Sequence, residues 1–209
     1  MEIKKDLESL NDVEYDVLKE IGNIGAGNAT TALSKMMNTR VNMQVPHVDM
    51  LEFKDLAEVV GGEETLVVGI MLTLEGDIKG SMMFMLEKKA AAHLVQSLMH
   101  MDVDDSDDAG FSDMELSALQ EIGNIITGAY LSSISGLTKM TIVPSIPYLS
   151  IDMAGAILSV PAIEFGKLGD KALLIESRFD EDEFCVNGYF ILIPTLDSYE
   201  KILNSLGIS

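Results

Sequence analysis

The segment Glu-Ile-Gly-Asn-Ile occurs twice, at residues 20–24 and again at 121–125. An internal repeat restricts the possible folds more than composition does, because each copy must form the same structural unit. Glu20 and Glu121 are 101 residues apart, and the same offset aligns Asn23 with Asn124, Gly27 with Gly128 and Pro46 with Pro147. Each copy opens with a helix. The first begins near Asp12 and runs through Thr31 to Met37; the second follows Ser112, an N-cap that Glu115 completes as a capping box. A half-buried strand follows over 41–45, matched by 141–146. Strands over 66–74 and 80–86 are matched by 172–179 and 186–193. The polar turns Glu75-Gly76-Asp77 and Asp180-Glu181-Asp182 make each of these pairs an antiparallel hairpin. Amphipathic helices over 88–100 and 195–206 close the copies.

A lone three-stranded sheet leaves an apolar face uncovered. The expected fold is therefore α+β: two pseudo-twofold-related helix-strand-strand-strand-helix repeats sharing a six-stranded, largely antiparallel sheet flanked by helices. The repeats span about 10–101 and 111–209 of one domain covering 1–209, joined by an acidic linker at 102–113. An extra apolar stretch at 151–163, interrupted by Pro161, predicts a short additional helix in the second copy, absent or shortened in the first. The linker holds six Asp in twelve residues. As a calcium loop it fails, with Asp107 where glycine is needed and Asp113 where a bidentate Glu belongs.

Composition excludes several classes. A net charge of -20 with no basic stripe argues against nucleic acid and against anionic lipid. The acidic surface serves solubility or steers basic partners. Cys185 is the only cysteine, so no disulfide forms within the chain, which fits a reducing cytoplasm. Residues 1–6 show no apolar signal region, and no apolar run approaches the roughly 20 residues of a membrane helix. A soluble cytoplasmic protein is expected. Fourteen Met residues suggest an adaptable core, and Met82, Met83 and Met85 on one strand belong to it.

At 100° per residue, Asp16, Glu20, Asn23 and Gly27 fall within a strip roughly 60° wide, and Val17, Ile21 and Ile24 face the core. Ser117, Glu121, Asn124 and Gly128 form the same strip in the second copy, with Ile122 and Ile125 inward. A solvated helix face is the plain explanation of one such strip. Two facts go beyond it. The Glu/Asn pair recurs while neighbours differ, as Lys19 and Gln120 do. The helix also carries Gly22, Gly25 and Gly27, each costing about 1 kcal/mol against alanine. Either a partner's approach or close packing within the protein explains those glycines. An Asn amide both donates and accepts, and can hold a water in a chosen direction. That suits phosphoryl transfer, where catalysis is mostly positioning and electrostatics. A Glu would repel phosphate, so its use is to grip a cation such as a partner's lysine. The pair points to a protein that completes another protein's active site.

Other chemistry is thin. Residues 22–27 look like a phosphate loop, but they follow helical sequence, and Ile126 replaces Gly25 in the second copy. His47, His93 and His100 are isolated, and no metal-ligand spacing appears. Cys185 has no base near it in sequence.

The doubled pattern Asp16, Glu20, Asn23, Pro46 and Ser117, Glu121, Asn124, Pro147 resembles the CheC-type chemotaxis phosphatases, within the CheC/CheX/FliY family. The resemblance covers nearly the whole chain. It implies an aspartyl-phosphate phosphatase acting on the phosphorylated response regulator CheY. Asn23 and Asn124 would orient the attacking water, and Glu20 and Glu121 would pair with the regulator's lysine. Asp16, Ser117, Pro46 and Pro147 would support the motif. It implies no cofactor in this chain, magnesium being supplied by the regulator. It also implies binding to the receptor deamidase CheD, for which the apolar stretch containing Asp152 is the candidate surface. Asp152 as a helix cap is the other reading. CheX members carry one such motif and dimerise, whereas duplication within one chain leads to the expectation of a monomer. A module that sequesters phosphorylated CheY or CheD without catalysis is the alternative function.

Overall fold

The computed structural model describes residues 11–38, 41–101, 110–165, 171–181 and 184–207. Two helices of 26 residues dominate it, α1 (Asp12–Met37) and, in the second half, the helix Asp113–Thr138. Both open on a capping box. The Asn11 amide N–H donates to Glu14 Oε2 at 2.9 Å, and the Glu14 N–H donates to Asn11 Oδ1 at 2.9 Å. The Ser112 N–H donates to Glu115 Oε2 at 2.6 Å, as its sequence foretold. Asn11 lies at the matching position and was not anticipated. Both helices end on a left-handed residue, Asn38 (φ 52°) and Lys139 (φ 60°).

After α1 the chain forms β1 (Asn42–Glu52), α2 (Phe53–Val59), β2 (Leu66–Gly76), β3 (Gly80–Glu87) and α3 (Lys88–Met99). The second half repeats the order as α4 (Asp113–Thr138), β4 (Ile142–Pro144), β5 (Tyr148–Met153), α5 (Ala154–Phe165), β6 (Lys171–Glu181), β7 (Phe184–Pro194) and α6 (Leu196–Ser205). The expected extra helix is α5, starting at Ala154 because 148–153 is strand, and its shortened counterpart is α2. A helix thus follows the first strand in both repeats, of 12 residues in the second and 7 in the first.

One seven-stranded sheet joins everything, in the order β1-β6-β7-β3-β2-β4, with β5 also on β2. All its pairings are antiparallel. The six expected strand positions are present, and one edge position is filled by two segments. At the centre Phe84 lies opposite Phe190, their rings stacked at 4.8 Å. Outward from that pair the order is symmetric, and it reveals an exchange. The first strand of each repeat pairs with a strand of the other, β1 with β6 and β5 with β2.

The sheet is covered on both faces, which explains its nearly continuous apolar strands. On β2 and β3, Val68, Ile70, Met82, Phe84 and Leu86 pack under α1, α3 and α4. Val67, Met83 and Met85 point the other way, toward α2 and α5. All three methionines assigned to the core are buried. On α1 the buried residues include Leu18, Ile21, Ala26, Ala29, Leu33 and Met37; Val17 and Ile24 are half-buried at the flank rather than central. The core face is centred further round the helix because α4, as well as the sheet, lies against it.

α1 and α4 meet through an aromatic wedge. The Tyr130 ring fills the space left by Gly25, where an added Cβ would lie 2.6 Å from Tyr130 Cδ1. The same ring sits 4.0 Å from that of Phe190, and its hydroxyl shares a 2.8 Å hydrogen bond with Ser177 Oγ. Burial pushes the Tyr130 phenol from 10.0 up to about 12. Tyr199, on α6, is pushed to about 12 as well, by burial first and then by Glu14.

Two outcomes follow. Gly25→Ala drives a methyl into a rigid ring and should lower unfolding stability by about 1–3 kcal/mol in urea titration. The raised phenol pKa values stabilise the fold fully below about pH 10, and that contribution is lost as pH rises toward 12. Tyr130→Phe should reduce the alkaline slope of stability by about one proton; an unchanged slope would place the alkaline loss elsewhere.

Candidate active site

The polar strip on each long helix lies on the surface. Asp16, Glu20, Asn23 and Gly27 are exposed on α1, and Ser117, Glu121 and Asn124 are exposed on α4. Residues three and four apart on a helix are neighbours at roughly 5–6 Å. Glu20 and Asn23 therefore present a carboxylate and an amide side by side, as do Glu121 and Asn124. Behind each strip the buried isoleucines Ile21 and Ile122 anchor the helix to the core.

The glycines divide by role. Gly22 lies against Val45 and Ile175, where an added Cβ would meet Val45 Cγ1 at 3.2 Å. Gly123 lies in the same way beneath Ile70. These are close packing within the protein. Gly27 and Gly128 differ, because an added Cβ at either meets nothing within 4 Å. They leave the surface beside the Asn open, with no close packing within the protein to account for them.

The two sites are built differently around this shared pair. Asp16 puts a second carboxylate on the first strip. Ser117 spends its hydroxyl on its own helix, donating to the Asp113 carbonyl at 2.8 Å. Lys19 holds its ammonium 5.6 Å from the centre of the Tyr15 ring. Its counterpart Gln120 donates from Nε2 to the Pro147 carbonyl at 3.1 Å, tying the site helix to the motif proline. Sequence comparison used Gln120 only as an example of a changed surface position. The signal available was that Gln120 and Pro147 each belong to the repeat register.

Both prolines mark the same irregularity. Between Gln44 and His47 the register of β1 against β6 slips by one residue, from Gln44↔Arg178 to His47↔Glu176. Between Pro144 and Tyr148 the pairing on β2 slips equally, from Leu74↔Pro144 to Met71↔Tyr148. Proline has no N–H for a ladder and is placed at bulges on outer strands. The reading of 41–45 and 141–146 as whole strands therefore misplaces their ends: β1 runs on through its bulge, and the second copy breaks into β4 and β5.

Asp152 is exposed at the end of β5, opposite Val67, and its Oδ1 accepts from the Met153 N–H at 2.8 Å. The Ala154 and Gly155 N–H groups donate to the Thr65 and Glu63 carbonyls, so these first groups of α5 are satisfied without Asp152. Among the described residues no cluster of His, Cys, Asp or Glu is arranged to hold a metal ion, and no helix is long and apolar enough to cross a membrane. His47 Nε2 lies 3.5 Å from Asp49 Oδ2. Most of the acidic linker and the Cys185 side chain lie outside the described residues.

The chain is 35% identical over 202 residues to the CheY-P phosphatase CheC of Bacillus subtilis, covering 96% of this chain and 97% of that one. It belongs to the CheC family of chemotaxis phosphatases. The CheC-like family model matches residues 13–49, which contain the whole first motif, and the model of the chemotaxis phosphatase CheX matches 68–159, which contain the second. The fold is also that of Thermotoga maritima FliY, with a TM-score of 0.74 at 22% identity over 95% of this chain and 98% of that one. The FliM middle domain from H. pylori matches with a TM-score of 0.68 at 13% identity, over 94% and 99%. This CheC-type chain keeps both copies of the Glu/Asn pair.

The open glycines supply a test. Gly27→Ala and Gly128→Ala should each raise stability by up to about 1 kcal/mol through helix propensity, read in thermal or urea unfolding. The same substitutions should lower phosphatase turnover. A stabilised variant of undiminished activity would show that nothing needs the space beside the Asn.

Proposed function

We propose that this chain hydrolyses the aspartyl phosphate of the response regulator CheY, using both sites. What carries the reading is the pairing of an exposed carboxylate with an exposed amide, twice, beside an open glycine, in a chain related end to end to a CheY-P phosphatase. Asn23 or Asn124 enters the regulator's site and holds a water in line with the phosphorus. The water oxygen bonds to phosphorus as the bond to the aspartate oxygen breaks, yielding inorganic phosphate and a free carboxylate. Glu20 or Glu121 binds the regulator's lysine and so sets the angle at which the amide arrives. Asp16 and Ser117 flank these pairs, and Pro46 and Pro147 shape the strands beside them. Magnesium stays with the regulator, and this chain contributes only positioning.

The test is phosphate release from phosphorylated CheY. Asn23→Ala and Asn124→Ala should each remove one site's share. The double variant should return the rate to CheY's own hydrolysis. A double variant as fast as wild type would overturn the catalytic assignment. Binding without any acceleration by wild type would leave a sequestering module.

We also propose that CheD docks on the α5 side. There Asp152, Met153, Val160 and Ile163 are exposed in a segment longer than its counterpart α2, so this surface exists once per chain. Asp152→Lys and Ile163→Asp should each weaken CheD binding at least about tenfold by titration calorimetry, equivalent to 1.4 kcal/mol. Equal affinity would remove α5 from the contact.

A further inference from the structure

The repeat register places Val45 before Pro46 and Ile146 before Pro147. The two side chains are alike, and their fates are opposite. Val45 is 6% exposed, with its methyl groups against Gly22 of the site helix. Ile146 is 87% exposed; Gly123 has Ile70 against it, as Gly22 has Ile175, but has no neighbour in the place of Val45. A lone exposed isoleucine in a loose loop would mean little. This one is held on both sides. The Ser145 N–H donates to the Thr73 carbonyl at 2.9 Å, and the Thr73 N–H donates to Ser145 Oγ at 3.0 Å. On the other side the Pro147 carbonyl accepts from Gln120 Nε2 at 3.1 Å. Three hydrogen bonds thus fix the backbone around an apolar side chain that faces water.

Gln120 precedes Glu121 and lies one helical turn from Asn124. A partner seated on Asn124 with an ordinary footprint of about 800 Å² covers a radius of roughly 16 Å, which reaches past Gln120 to the segment that Gln120 holds at Pro147. We propose that Ile146 is a docking residue of the second site, covered by the response regulator when Asn124 enters it, and that Gln120 is the positioning residue that presents it. This rests on the phosphatase reading above and deepens it. At the first site the equivalent apolar group is buried, and half-exposed His47 follows the proline. The two sites therefore grip the same regulator by different surfaces, the second with an apolar contact that the first lacks.

The experiment measures phosphate release from phosphorylated CheY in two backgrounds. In Asn23→Ala, where the second site works alone, Ile146→Ser should raise KM about tenfold with kcat unchanged, and Ile146→Leu should restore it. Gln120→Met, which keeps length and loses the amide donor, should raise KM in the same direction. In Asn124→Ala, where the first site works alone, Ile146→Ser should leave KM at its parental value. An unchanged KM for Ile146→Ser in the Asn23→Ala background would overturn the inference. So would an equal rise in both backgrounds, which would mark a general structural effect. Turnover indifferent to Asn124→Ala would instead overturn the reading of the site itself, and the inference with it.

Discussion

The exchange of first strands is the constraint on which the rest depends. β1 finds its hydrogen-bond partner on β6, and β5 finds its own on β2. Each repeat thus lends the other an edge, and each long helix is drawn over a sheet that the other repeat helps to build. The contacts that close this arrangement are distant in sequence, which makes folding slow relative to a bundle of local elements. The gain is a fixed relation between α1 and α4, wedged by Tyr130 over Gly25 and bridged by Asn28 Nδ2 donating to Ser133 Oγ at 3.3 Å.

That fixed relation lets a helix serve two purposes. Its inner side needs small residues where it presses on strand and helix, at Gly22, Gly25 and Gly123. Its outer side carries one, Gly27 or Gly128, where the surface beside the Asn is open. Glycine answers both demands, at a loss of helix propensity that burial of Leu18, Ile21 and Leu33 offsets. The Glu/Asn pair stands on a twice-capped element, so its carboxylate and amide are pre-arranged without any supporting shell of their own.

Much of this was legible in the sequence, because the repeat supplied its own control. Asn23 and Glu20 alone are an ordinary wet helix face; recurring at the same spacing, they stand out from Lys19 and Gln120. Helix ends and hairpins followed from caps and turn residues. The strand exchange was not legible, since the same alternating pattern in 41–45 suits a partner in either repeat. Whether the first copy's counterpart helix was absent or only shortened stayed open, because the seven residues of α2 show too little periodicity. The opposite burial of Val45 and Ile146 was invisible for a different reason. It goes with the course of the strand: β1 is continuous through Val45, whereas Ile146 stands in the break between β4 and β5. The acid and amide were therefore readable as a pair, while the inequality of their surroundings needed the packed structure.

The prolines of the repeated pattern have a consequence beyond the site. They stand on the two outer positions of the sheet, β1 on one side and β4 with β5 on the other. A sheet that ended in two smooth strands would offer each a full row of free amides to any neighbouring copy. Here both borders carry a bulge and a missing donor at the same relative place, so a strand laid alongside either would lose step halfway. The residue that shapes the ground beside each Asn also works against growth into a ribbon, as interruptions on edge strands do.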